Sequence, residues 1–294
     1  MRFLKRTDRR IVLAVADTHG GHSLGLLNPD ACVIWVEDEW GMGEYVPPIP
    51  TKVQERLWPL FIDTKNEVVK YADGCEIIVL HVGDPTHGEK HPGGNIPGLD
   101  LEAQRMIAYW NLVPLLELPN VTKMRMFTGT PAHVEPGRAD ANVATKLAKR
   151  FPNKEVVAVH HTRSYVGDAL FDGAHTGPHG GSRDWLEGNV ALLHLRDRIY
   201  RDRRAKKTPA DVYLRAHRHV YRHVTLNDMW WHKPSAHHLV IVPSFCGFTS
   251  YARSATQSDP ELVNGMVTFE VVGGKLREIL PWVDYTDLRM EEVL

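Results

Sequence analysis

The sequence predicts a layered α/β domain containing two sheets. Short β-branched runs alternate with amphipathic stretches up to residue 150, giving the order βαβαβα. The last third holds strand-like runs without helices between them, and a Gly273-Gly274 pair of the kind that closes a hairpin. The strand-like runs also end repeatedly in Asp, His and Gly.

IVLAVA (11–16) reads as a buried strand feeding the loop Asp17-Thr18-His19-Gly20-Gly21. Basic residues precede it, but so short an apolar run falls below the core of a secretory leader. Residues 20–50, with the turn-rich YVPPIP, are expected to form a binding loop or cap inserted into a single domain spanning 1–294. Residues 51–73 predict a helix capped by Thr51, with Leu57, Leu60, Phe61, Val68 and Val69 on a 3.6 period and Pro59 kinking or splitting it. EIIVLHVGD (76–84) is a strand ending in Gly-Asp, followed by a Gly/Pro/His-rich loop to residue 98. A helix over 100–118, the strand TKMRMFTGT (122–130) and a helix over 138–150 follow. VVAVHH and SYVGDALFDGAH, within 156–175, read as a hairpin pair, and 183–204 as a charged helix. Strands are expected at 211–225, 238–244, 265–272 and 275–282.

Composition narrows the function classes. With 43% hydrophobic residues, 24% charged and a net charge of −1 over 294 residues, no global field draws the chain to nucleic acid or membrane. No stretch approaches the ~20 apolar residues of a membrane span. The three cysteines, Cys32, Cys75 and Cys246, form no CxxC pair, so neither a disulfide framework nor a cysteine zinc site is indicated, and a cytoplasmic setting is expected. The basic run RDRIYRDRRAKK (196–207) reads as a solvated helix face, with phosphate contacts to nucleic acid as the alternative. Histidine is the unusual feature: there are 17, many beside Gly or Asp at strand ends.

In α/β sheets, ligands collect beyond the carboxyl ends of strands. Five such ends carry polar groups: Asp17 and His19; Asp84; Thr130 and His133; His175; His217 and His219. The donors are nitrogen and oxygen, which suits Zn, Mn, Fe, Ni or Co. Six or more of them are too many for one tetrahedral ion and suit two ions sharing a bridging aspartate. Read as a strand, YLRAHRHVYRHV (213–224) puts His217, His219 and His223 on one face, with His223 further along and at the surface. His160 or His161 is the alternative to His175. His81 faces away from Asp84. His22, His87 and His179 lie in glycine-rich loops as candidate substrate contacts, and Arg138 opens a helix where it would clamp a phosphate.

The order Asp17-Thr18-His19, Gly83-Asp84, Gly129-Thr130-Pro131-Ala132-His133, His175, His217-Arg218-His219 resembles that of the calcineurin-like metallophosphoesterases. The stretch from Asp17 through VPPIPTKVQERLW is similar to phage-type members. The motifs span 17–219, about two thirds of the chain. The resemblance implies a four-layer α/β/β/α sandwich of two mixed sheets flanked by helices. It implies a phosphoric ester hydrolase in which Asp17, His19 and His219 hold one divalent cation, His175 and His217 a second, and Asp84 bridges. A hydroxide between the cations would attack a phosphodiester, of a nucleotide or nucleic acid, or a small phosphomonoester. The third motif departs from the pattern: Thr130 stands where the family has an asparagine ligand, and His133 comes three residues later. Two readings stand for His133, the catalytic histidine in a longer loop or a replacement ligand. That departure also leaves a third possibility for the chain as a whole, a binding or scaffold protein of this fold.

Overall fold

The computed structural model describes residues 8–90, 94–135, 138–178, 187–230, 233–247 and 261–287. Its first sheet has six strands: β1 (Arg9–Val15), β4 (Glu76–His81), β5 (Val121–Phe127), β6 (Glu155–Val159), β12 (Glu261–Val272) and β13 (Lys275–Asp287), in the order β13-β12-β1-β4-β5-β6. β1, β4, β5 and β6 run parallel, and β12 and β13 continue the sheet antiparallel. The second sheet comprises β7 (Thr162–Val166), β8 (Ala169–Thr176), β9 (Val212–Ala216), β10 (Arg222–Trp230) and β11 (Lys233–Ile241), in the order β10-β11-β9-β8-β7. Its inner three strands are parallel and its two outer ones antiparallel. A separate hairpin of β2 (Ile34–Glu37) and β3 (Gly43–Val46) stands within the 20–50 segment.

Strand parity assigns the layers. In β1, Ile11, Leu13 and Val15 pack against α1 (Lys52–Ala72), α2 (Leu101–Leu116) and α4 (Ala139–Arg150) in one core. The alternate residues Val12, Ala14 and Ala16 join Phe171, Leu214 and Val240 of the second sheet in another. Side chains two apart share a face, so a strand buried on both sides must be apolar throughout, which explains the unbroken IVLAVA. The outer face of the second sheet presents Leu170, Tyr213 and Leu239 to Ala191, Leu195 and Ile199 of α5 (Glu187–Arg204). The result is the expected α/β/β/α sandwich. Among the described residues no helix is long and apolar enough to cross a membrane.

Several elements differ from the sequence expectation. α1 runs unbroken through Pro59, whose missing N–H falls opposite Glu55 on the exposed side of the helix, where a carbonyl without its helical partner is least costly. VVAVHH does not pair with the following run: β6 extends the first sheet beside β5, the chain crosses at His160 and His161, and β7–β8 form their hairpin in the second sheet. The run over 211–225 is not one strand. β9 stops at Ala216, and residues 217–221 form an irregular loop before β10.

One ion pair is buried under α5. Arg215, 2% exposed, donates from Nη2 to Asp172 Oδ1 at 2.7 Å and from Nη1 to the carbonyls of Asp172 and Leu214 at 2.8 Å. His161 Nε2 lies 3.0 Å from the same Asp172 oxygen. Burial pushes the Asp172 carboxyl up, but the His161 hydrogen bond and the Arg215 charge outweigh it and hold it at about 2. A carboxyl depressed in the folded state adds stability above its unfolded range, about 3.9, that is lost as pH falls through the folded value. Thermal unfolding followed between pH 5 and pH 2 is expected to show this loss, and Asp172→Asn to flatten it. Arg215→Leu, which strands the buried carboxylate, is expected to cost about 3–5 kcal/mol in denaturant unfolding.

Candidate metal centre

The site is built at the carboxyl ends of parallel strands. Asp17 follows β1, Asp84 follows β4, Thr130 follows β5, His175 lies at the end of β8, and His217 and His219 follow β9. Each chain turns sharply as it leaves its strand. Asp17 (φ 49°), His19 (42°), Asp84 (49°), His217 (73°) and His219 (53°) all adopt left-handed backbone, five of the eight described non-glycine residues that do. This region is disfavoured for residues with a Cβ and concentrates at functional sites. It is also why 213–224 does not continue as a strand.

Backbone hydrogen bonds fix these turns. Asp17 N donates to the Gly83 carbonyl at 3.1 Å, His19 N to the Asp84 carbonyl at 3.2 Å, and His217 N to Asp17 Oδ2 at 3.2 Å. Two glycines are required by close approach. A Cβ on Gly83, which also has φ +95°, would stand 2.3 Å from His175 Nδ1, and one on Gly129 would stand 2.0 Å from Asp84 Oδ1. The Gly-Asp and Gly-Thr motifs therefore reflect the space that the neighbouring site side chains occupy.

Seven side chains converge. Asp84 Oδ2 lies 2.9 Å from His175 Nε2 and 4.0 Å from both His217 Nδ1 and His133 Nε2. Asp17 Oδ1 lies 3.7 Å from His219 Nε2 and 3.9 Å from both His19 Nε2 and His175 Nε2. His19 Nε2 and His219 Nε2 are 3.1 Å apart. Donor atoms of Asp17, His19 and Asp84 form one group within 4.8 Å of each other, and those of Asp84, His175 and His217 form a second. Asp84 belongs to both.

The donors are oriented for cations. His175 donates its Nδ1–H to the Val82 carbonyl at 2.6 Å, which leaves Nε2 as the ligating nitrogen. Burial, reinforced by neighbouring imidazoles, pulls His217 to about 4, His219 to about 3 and His19 well below its ordinary range, so these rings are neutral at pH 7. Burial pushes Asp17 up to about 8 against the opposing charge of His175. At His175 burial acts downward, but Asp84 and Asp17 outweigh it and raise the ring to about 9. At Asp84 burial acts upward, and the His175 charge outweighs it and holds the carboxyl well below the usual range. His175 Nε2 pairs with Asp84 Oδ2 at 2.9 Å, while Asp17 Oδ1 and His19 Nδ1 are buried and make no hydrogen bond. Each such atom costs about 1–3 kcal/mol in a protein that binds nothing there. A mixed N/O donor set with orphaned buried lone pairs fits divalent cations.

Thr130 donates its N–H to Asp84 Oδ1 at 2.7 Å, and its hydroxyl lies 3.2–3.3 Å from both Asp84 oxygens. It caps a single helical turn, α3 (Pro131–Val134), that carries His133. His133 donates Nδ1–H to the His87 carbonyl, and its ring stands edge-on to His19 at 4.6 Å. His87 and His22 are buried behind them, their rings 4.3 Å apart. Arg138 lies apart from this cluster: its side chain is 61% exposed and reaches Asp140 and Thr128 on the flank of α4. His179 lies outside the described residues. His161 is engaged with Asp172, and His223 with His238 at 3.0 Å on the second sheet. His81 faces the helix layer, buried, with neither ring nitrogen hydrogen-bonded.

Cys246 is a neighbour that sequence reasoning passed over. Its sulfur groups with the donor atoms of His19 and His219 within 4.8 Å. The signal was present in SFCGF, directly after a strand-like run, but a single cysteine without a CxxC partner carried no metal expectation.

No family model and no curated protein matches the chain. Solved structures give distant likenesses. The sulfate thiohydrolase SoxB of Thermus thermophilus, in complex with glycerol, is 10% identical, with 93% of this chain and 56% of that one covered and a TM-score of 0.39. A metallophosphoesterase from Sphaerobacter thermophilus is 11% identical over 94% and 89%, with a TM-score of 0.31. A 5'-nucleotidase from Candida albicans is 10% identical over 98% and 53%, with a TM-score of 0.36. The chain thus spans about half the length of the first and third. Likenesses this distant carry no functional weight, which falls instead on the chemistry of the site.

Proposed function

We propose that this protein is a divalent-metal-dependent phosphoric ester hydrolase acting on phosphodiesters, with nucleotides or nucleic acids as the substrate class. The observation that carries the reading is the sharing of Asp84 between two groups of donors, Asp17/His19 and His175/His217. A pair of cations in such a cage supplies Lewis acidity toward phosphoryl oxygens and a water acidified for in-line attack.

The chain's own residues do the rest. Asp17, His19 and His219 hold one cation and His175 and His217 the other. Thr130 orients Asp84 through two donors. His133, fixed through Nδ1 to the His87 carbonyl, directs Nε2 toward the cluster and gives a proton to the leaving oxygen. Among the described residues, the imidazoles of His133, His87 and His22 surround the ligands, with Arg218 as a cation beside His217.

The basic run takes no part in this contact. α5 returns the chain from the end of β8 to the start of β9, and its 18 residues put residues 196–204 at the opposite end of the second sheet, about 15–25 Å along the helix.

Metal content of the purified chain, with paired assays on bis(nitrophenyl) phosphate and nitrophenyl phosphate under added manganese, tests the reading. Two ions per chain and faster diester cleavage are expected. Faster monoester cleavage moves the substrate to small phosphomonoesters, and near-zero metal with no turnover makes the chain a scaffold. Thr130→Val, which removes one donor to Asp84, is expected to weaken metal affinity about 10–100-fold by calorimetric titration.

A further inference from the structure

We propose that Cys246 is a thiolate ligand of the cation held by Asp17, His19 and His219, and that this position is therefore an N/O/S site selecting zinc, ferrous iron or cobalt over manganese or magnesium. The inference rests on the two-cation reading of the same site.

The position of Cys246 is built. The segment 244–247 leaves β11 and is stitched onto the loop that carries Asp17 and His19. Ser244 bridges Ala16, Phe245 N donates to the Asp17 carbonyl at 3.2 Å, Cys246 bridges Gly25, and Gly247 N donates to the Leu24 carbonyl at 2.7 Å. From the other side the Asn264 amide donates to the Ser244 carbonyl at 3.0 Å and the Cys246 carbonyl at 3.1 Å. The Cys246 backbone is thus held from both sides, and its side chain is 0% exposed.

A buried cysteine ordinarily packs as a small apolar group among other apolar groups. Here the sulfur lies within 4.8 Å of ring nitrogens of His19 and His219. Asp17 Oδ1, buried without a hydrogen bond and 3.7–3.9 Å from His219 Nε2 and His19 Nε2, is the independent sign that these side chains face a missing partner. A zinc-sized ion takes sulfur at about 2.3 Å and nitrogen at about 2.0–2.1 Å, so small side-chain shifts bring the set onto one ion. On coordination the thiol gives up its proton to solvent. Thiolate ligands favour zinc, iron and cobalt, whereas all-oxygen sites suit manganese and magnesium.

The test loads the full chain with Co(II) and records its absorption. Visible d–d bands together with a near-ultraviolet sulfur-to-cobalt band are expected. Cys246→Ser should keep the first and lose the second, while Cys32→Ser and Cys75→Ser keep both. Visible bands without the near-ultraviolet band in the wild type would overturn the thiolate and leave the two-cation reading standing. No retained cobalt would overturn both. X-ray absorption at the zinc edge of the wild type decides the matter even where Cys246→Ser fails to fold. A sulfur shell at about 2.3 Å supports the proposal, and a purely N/O shell overturns it.

Discussion

Asp84→Asn is expected to lower metal-dependent hydrolysis by at least about 10³-fold and to reduce bound metal well below two ions per chain. Asp84 is the only described side chain in both donor groups, and three imidazoles, His175, His217 and His133, have nitrogens within 2.9–4.0 Å of its Oδ2. The asparagine keeps the volume and can still accept the Thr130 N–H bond to Oδ1, so the loop after β4 has no steric reason to move. What it loses is the negative charge and one of two equivalent oxygens, which the proposed pair of cations would share. Loss of several kcal/mol of charge stabilisation at a phosphoryl centre corresponds to the predicted drop. Steady-state rates with metal analysis of the same sample check it, and circular dichroism establishes that the fold persists. Wild-type turnover at wild-type metal content would remove Asp84 from the centre of the chemistry.

The layers were legible because burial and periodicity are local properties of a sequence. IVLAVA and EIIVLH must be strands, and parity alone divides Ile11, Leu13 and Val15 from Val12, Ala14 and Ala16. The positions of the donors were legible because they stand where such strands end. The path of the chain through them was not. Nothing in AHRHVY announces that β9 stops at Ala216, since the left-handed turns at His217 and His219 are imposed by contacts with Asp17 and the loops beside it. VVAVHH was misassigned for a related reason: an apolar run reports that it is buried, not in which sheet. Its partner is β5, more than thirty residues upstream, rather than the adjacent run. The Arg215–Asp172 pair was invisible because an arginine within a strand reads as exposed until its counterion appears across the sheet. Cys246 is the sharpest case. Its role depends on β11 lying next to β9 and on the bridges from Ser244 to Ala16 and from Cys246 to Gly25, all of them long-range.

His133 has two candidate roles, and its removal distinguishes them by leaving group. As a proton donor, His133→Ala is expected to cost about 10²–10⁴-fold on a diester with an alkyl leaving group. On a nitrophenyl diester the cost should be small, because nitrophenolate departs without a proton. As a ligand, the same change lowers metal occupancy and slows both substrates alike. The geometry gives each role a foothold: donor atoms of His19, His87 and His133 lie within 4.8 Å of one another, while Thr130 meets Asp84 through its N–H and hydroxyl and His133 Nε2 stands 4.0 Å from Asp84 Oδ2, the same separation as His217 Nδ1. The ring is fixed by its Nδ1 bond to the His87 carbonyl and by the Thr86 hydroxyl bond to the His133 carbonyl at 2.6 Å. A ring held this firmly, with Nε2 directed at the cluster, would be able to give a proton to a substrate oxygen bound there. His133→Gln supplies the control. It keeps a hydrogen-bond donor but cannot transfer a proton, so it should match alanine on the alkyl substrate at wild-type metal content. Equal loss on both leaving groups, with metal falling in parallel, would return His133 to the ligand set.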